Sequence, residues 1–235
     1  MSFVMLVAAC PRIKGAGAPF AVPPPGVHRR RGRASRADVG GGWQAGAMPR
    51  PQDAASVFDR KHTPLMRLID ATDPQALAGD SPCDGWSGLD VIQHLIDTQR
   101  DFLLKAGADL PDPAPTVAAL GPATAWRTHA EGVARQLADD TLAERPYETP
   151  FGATTIGAAF DRFYGFDLLV HRWDIGASAG VPVELNEAEL DEVEAAIAGF
   201  GDAIRGDGVC GPAVHVGPDA SRQDRALGLT GRDPR

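Results

Sequence analysis

From residue 53 onward the apolar positions recur at three- and four-residue spacing, the pattern of helices that each bury one face. Val57, Phe58, Leu65, Leu68 and Ile69 predict a first helix over 53–72, kinked or divided at Pro64 and ended by Asp73-Pro74. Ser81-Pro82-Cys83-Asp84-Gly85-Trp86-Ser87 reads as a turn into a second helix. Ser87 is its N-cap, with Asp90 in the place of the capping-box acid. That helix reaches about Lys105, with Ile92, Leu95, Ile96, Gln99 and Leu103 on one face. A proline-rich connection, Gly107 to Pro122, leads to a third helix from Ala123 to Ala138, marked by Trp126, Val133 and Leu137. Pro146, Pro150 and Gly152 break the chain before a fourth helix, Thr155 to Ala177. A fifth runs from an Asn186 cap to about Arg205, its first turns crowded with Glu187, Glu189, Asp191, Glu192 and Glu194, where the helix dipole favours anions. A short apolar stretch, Ala213 to Val216, precedes a last short helix, Ala220 to Leu229, capped by Asp219. Strand signals are otherwise absent and no internal repeat is evident. The pattern predicts an all-α fold, a four-helix bundle with an extra C-terminal helix or short segment.

Residues 1–50 have a different character. Residues 11–50 are rich in Gly, Pro and Arg and carry no periodicity, which predicts a disordered N-terminal extension. The folded domain is therefore placed at 51–235, and Met48, just before the first helical pattern, raises the expectation of an over-extended gene start. Residues 1–10 lack the positive region and the apolar length of a secretory signal. The run His28-Arg29-Arg30-Arg31-Gly32-Arg33 reads as a solvated tail.

Composition narrows the class further. The chain is 43% hydrophobic and 23% charged, enough for an ordinary core, and its net charge of −8 argues against nucleic acid or an anionic membrane as main partner. No apolar run approaches the roughly 20 residues of a membrane span. The three cysteines, Cys10, Cys83 and Cys210, include no C-x-x-C pair. That excludes a thiolate zinc knuckle, argues against a disulfide scaffold, and leads us to expect a cytoplasmic protein. A monomer or a homodimer is expected.

The fourth helix carries the candidate chemistry. At 100° per residue, Ile156, Phe160, Phe163 and Tyr164 share one face, and Asp167 and His171 fall on it one turn apart, with Asp174 beside them. An ionised carboxylate on a buried face is costly unless compensated. An internal Asp–His⁺ pair would compensate it; so would a divalent cation held by both side chains. The residues alone do not choose between the two. His94 could supply a further ligand, but it lies about 130° from the apolar stripe of its helix, beside Asp90, Asp97 and Asp101, so phase favours a solvated histidine. His129 reads as an ordinary helical histidine, Cys83 as a buried structural thiol, and Trp86 and Trp173 as packing residues.

Three stretches together resemble a known family: the turn from Ser81 to Ser87 with His94-Leu95 following; Phe166-Asp167-Leu168-Leu169-Val170-His171-Arg172-Trp173-Asp174; and the tail from Asp219 to Arg225 with Leu229-Thr230-Gly231-Arg232-Asp233-Pro234. The chain resembles the DinB-like proteins that include the metal-binding domain of mycothiol-dependent maleylpyruvate isomerase. The resemblance implies a four-helix bundle carrying one divalent metal, usually Zn²⁺, on His94, Asp167 and His171; Asp174 is then a candidate to orient His171, or else an exposed or helix-capping acid. It also implies mycothiol or another small-molecule thiol as co-substrate and a small organic substrate, in isomerisation or S-transfer. Asp167 stands where the isomerase has a Glu, which puts the isomerase activity in question more than the metal. The alternative is a non-catalytic metal-binding or sensor module. A zinc-containing anti-sigma regulator is disfavoured, because the H-x-x-x-C-x-x-C pattern is absent.

Overall fold

The computed structural model describes residues 51–206 and 209–234, so the expectations for residues 1–50 lie outside the described residues. In chain order the elements are α1 (Pro51–Ala71), α2 (Gly88–Lys105), α3 (Val117–Leu120), α4 (Pro122–Leu137), α5 (Asp140–Ala143), β1 (Pro146–Thr149), β2 (Gly152–Thr155), α6 (Ile156–Phe160), α7 (Phe166–Ser178), α8 (Glu187–Phe200) and α9 (Arg222–Leu229). A π-helical turn, Asp161–Gly165, joins α6 to α7 in one long helix.

The bundle consists of α1, α2, α4 and the α6–α7 helix. α1 and α2 each pack against both α4 and α7, so α1 and α2 stand diagonally opposite one another. The connection over residues 72–87 therefore crosses one end of the bundle. α8 packs on α7 from outside, and α9 packs on α8. Apolar side chains from all four bundle helices meet inside, among them Leu65, Ile69, Ile92, Leu95, Trp126, Val133, Phe160 and Leu169. This is the expected all-α architecture. Among the described residues, no helix is long and apolar enough to cross a membrane.

Several local expectations need correction. α1 is not divided at Pro64: it continues to Ala71, held by the buried Phe58, Leu65 and Ile69 on either side of the proline. Tertiary packing outweighs the one backbone hydrogen bond a proline removes. The proline-rich connection contains α3, capped by Thr116 and tied to α2 where the Gln93 side-chain Oε1 accepts from the Val117 amide at 2.8 Å. The breakers around Pro150 build an antiparallel hairpin, with Pro146 opposite Thr155 and Thr149 opposite Gly152, whose φ is 108°. Gly tolerates that backbone where other residues do not. α8 ends at Phe200, because Gly201 turns to φ 53°, and Gly201–Arg205 continues as a 3-10 turn. The last helix is capped by Ser221 and Asp224 in a reciprocal capping box, not by Asp219. The Ser87–Asp90 box is present as read.

The beginning of α2 lies against the end of α7, which makes those two helices antiparallel. A Cβ on Gly88 would meet Ser178 Oγ at 2.1 Å and the Leu77 carbonyl oxygen at 2.9 Å. One on Gly79 would meet the Ser178 carbonyl oxygen at 2.3 Å. Backbone cannot yield as a flexible side chain does. Gly79→Ala is therefore expected to destabilise the protein by about 1–3 kcal/mol. Gly217→Ala, where nothing lies within 4 Å, should be near neutral. Urea unfolding of both variants checks this.

Candidate metal centre

α2 is covered on two sides, by α4 and by α7, and this decides the fate of its polar stripe. His94, in the second turn, is only 9% exposed. Helical phase places it off the apolar stripe, but α7 occupies that side, so the solvated reading is overturned. The Trp86 ring lies over His94 with centroids 4.9 Å apart, and the His171 ring meets His94 edge-on at 5.3 Å.

Asp167 and His171 occupy the first two turns of α7 and are fully buried. The π-helical turn before them adds a residue to one turn and so rotates all that follows. The single apolar face read for an unbroken helix therefore does not carry through from Ile156 to His171. Instead residues 163–172 are all buried, because α1, α2 and α8 surround this part of the helix. Asp167 and His171 lie beyond the π turn, so their one-turn spacing survives. Gly165 closes the π turn where a Cβ would meet Asp161 Oδ1 at 2.4 Å and Lys61 Nζ at 2.7 Å. Lys61 bonds Asp161 at 2.6 Å and Glu192 at 2.7 Å, fixing α1 to the π turn and to α8.

The structure brings His94, Asp167 and His171 together: one ligand atom from each lies within 4.8 Å of the other two. Nε2 of His94 and Nε2 of His171 are buried and meet no hydrogen-bond partner. The His171 Nδ1–H donates to Asp174 Oδ2 at 2.8 Å, which leaves the Nε2 lone pair as the free one. Asp174 is fully buried and accepts again from Arg232, through Nη2 at 2.8 Å and Nε at 3.3 Å.

The electrostatics favour neutral imidazoles. Burial, then His171 and Arg232, lowers the His94 pKa to about 3. Burial also lowers that of His171, against the opposing pull of Asp174. For Asp174, burial raises the carboxyl pKa, but Arg232 and His171 outweigh it and hold the group at about 2. Two neutral imidazole nitrogens and a carboxylate are a donor set that fits a divalent cation. A second group, Cys83, His171 and Asp174, lies around the other imidazole nitrogen of His171. There Cys83 is bound in a disulfide and is not the structural thiol expected, and Asp174 is already bonded by His171 and Arg232, which makes it the weaker place for an ion.

Two residues near this centre were given no role by sequence reasoning. Arg232 is 2% exposed, and periodicity offers no sign that a charged residue in a tail turns inward. Cys210 is buried with its electrostatic neighbours Arg232 and Asp167, and burial pushes its thiol up to about 11. Its short segment, between Gly208 and Gly211, carries no periodic signal either.

A family model matches just over half of the chain. The model for the mycothiol maleylpyruvate isomerase N-terminal domain matches residues 58–176, a span that contains His94, Asp167, His171 and Asp174. The chain belongs to that family. No curated protein and no solved structure matches it. Arg232 and Cys210 lie outside the matched span.

His129 is not part of the centre. It is buried inside the bundle, where its Nε2–H donates to Gln99 Oε1 at 2.9 Å. Burial, then Arg100 and His62, lowers its pKa to about 3. A histidine whose folded pKa lies below the unfolded value of 6.5 contributes stability above pH 6.5 and loses it as pH falls toward 3. Across that window the unfolded chain binds more protons. Chelator-treated protein should lose stability from pH 6.5 downward, and His129→Gln should flatten that slope by up to ~1.4 kcal/mol per pH unit. Urea midpoints at a series of pH values measure the difference; parallel slopes would refute the assignment.

Proposed function

We propose that the chain holds one divalent cation, zinc by its donor set, on His94, Asp167 and His171, and works on a small organic substrate with a low-molecular-weight thiol. The observation that carries this reading is the pair of buried imidazole Nε2 atoms without hydrogen-bond partners, gathered with the buried Asp167 carboxylate. An unsatisfied buried polar group costs about 1–3 kcal/mol, and a cation shared with Asp167 removes that cost for the two imidazoles. Nitrogen and oxygen donors without a thiolate suit Zn²⁺, a set also used by Ni²⁺, Mn²⁺ and Fe²⁺. Three protein ligands leave at least one coordination position open, as in catalytic rather than structural zinc sites.

An ion held there would supply Lewis acidity, lowering the pKa of a bound thiol or water towards neutrality. The chain's own residues supply the preorganisation. Asp174 fixes the ring of His171 and its tautomer, while Trp86 lies against the ring of His94. The family supports mycothiol as the thiol and isomerisation as the reaction class; S-transfer is the other reaction such a site could serve. Asp167 is one methylene shorter than the glutamate of the isomerase. This favours a substrate or reaction other than that of maleylpyruvate isomerase itself.

Metal analysis is the direct test. Wild-type protein is expected to carry one equivalent of metal, and His94→Ala and His171→Ala each to lose it. If both variants keep stoichiometric metal, the ligand assignment is wrong. Turnover of the metal-loaded protein should require mycothiol or another small thiol. Turnover that any thiol leaves unchanged would remove the thiol from the reading; metal binding with no turnover at all would leave a metal-binding module.

A further inference from the structure

We propose that the C-terminal segment, residues 209–234, is a strap that completes the metal centre. Arg232 positions His171 through Asp174, and docking of the strap is coupled to occupancy of the site. This inference rests on the metal reading above and extends it to residues beyond the span that the family model matches.

The strap is anchored at several points along its length. Arg222, at the start of α9, bonds Glu187, Asp191 at 2.6 Å and Glu194 at 2.8 Å on α8. Gln223 donates to the Val183 carbonyl at 3.0 Å and accepts from the Leu185 amide at 2.7 Å. Arg205 donates to the carbonyls of Gly211 and Leu229, each at 2.6 Å, pinning both arms of the strap. Gly231, at φ 87°, passes so close to Gly211 that a Cβ would meet its Cα at 2.9 Å. That close approach turns the next residue, Arg232, into the protein.

There the guanidinium makes a two-pronged contact. Nη2 and Nε donate to the two oxygens of Asp174, and Nη1 donates to the Thr230 carbonyl at 3.0 Å. Cys83 Sγ lies 3.9 Å from Nη2 and 3.6 Å from Asp174 Oδ2, closing the remaining side. A planar fork that engages both carboxylate oxygens fixes the carboxylate plane, which a single ammonium does not. With its plane fixed, Asp174 can receive the His171 Nδ1–H in only one ring orientation, the one that leaves Nε2 beside Asp167 and His94. Partners of this kind behind a metal-bound histidine typically change metal affinity by about 10- to 100-fold. By linkage, whatever strap docking does for metal binding, metal binding does for docking.

The test uses the full chain, stripped of metal by chelation and titrated with Zn²⁺ and with Co²⁺ as a spectroscopic probe. Arg232→Gln is expected to bind Zn²⁺ about 10- to 100-fold more weakly and to show altered Co²⁺ d–d bands. Arg232→Lys, which keeps the charge and loses the fork, should recover only part of the affinity. In the wild type, the amides of Thr230, Gly231 and Arg232, which donate to the carbonyls of Leu227 and Gly228, should exchange hydrogen more slowly when Zn²⁺ is bound. Wild-type affinity and spectrum in Arg232→Gln would overturn the proposal. So would equal amide exchange with and without Zn²⁺ in a wild type that binds the ion, and that comparison decides alone if the variants do not fold. A wild type that takes up neither ion refutes the metal reading, and this inference with it.

Discussion

The burial of Asp167 between the helices of the bundle is the constraint on which the rest of the arrangement depends. A carboxylate in such a place must be compensated, and the packing sets beside it two imidazoles kept neutral by burial, with which it forms a donor set that fits a divalent cation. The centre is polar inside an apolar bundle. Its geometry is fixed by covalently distant elements that must all be in place at once.

Two devices in the fold serve that requirement. The π-helical turn lets one long helix bury aromatic side chains in its first half and the polar pair in its second, without giving up the one-turn spacing of Asp167 and His171. The tight approach of α2 to the end of α7, possible only with glycines at 79 and 88, sets the level at which His94 faces that pair. The remaining elements lie outside the bundle, and α8 carries the acids that hold Arg222. Those acids lie toward the start of α8, where the dipole already favours anions, and they dock the segment that reaches the candidate metal centre.

The main helices were legible because each buries a stripe whose period is set by backbone geometry alone. Ile92, Leu95, Ile96 and Leu103 were read as core from spacing, and each is fully buried. The hairpin is not legible because its strands are four residues each and bury no residue fully, so no run is long enough to read as a period of two. Pro64 was overweighted as a breaker, because local propensity cannot count the tertiary contacts that hold a helix together.

The candidate site was legible to unequal degrees. Asp167 and His171 follow from their own sequence, since polar groups one turn apart in a long apolar segment demand an explanation wherever the helix packs. His94 does not: its phase points away from the apolar stripe, and only the family resemblance singled it out. Arg232 could not be assigned at all, for its partner Asp174 is 58 residues away. Sequence by itself determined the helical class, the spacing of Asp167 and His171 and the capping of α2, because all of these are local properties of a chain with 3.6 residues per turn. Only the tertiary structure decided that a second helix covers the polar side of α2 and that the C-terminal tail turns inward. Both are contacts between distant segments, and no local period encodes them.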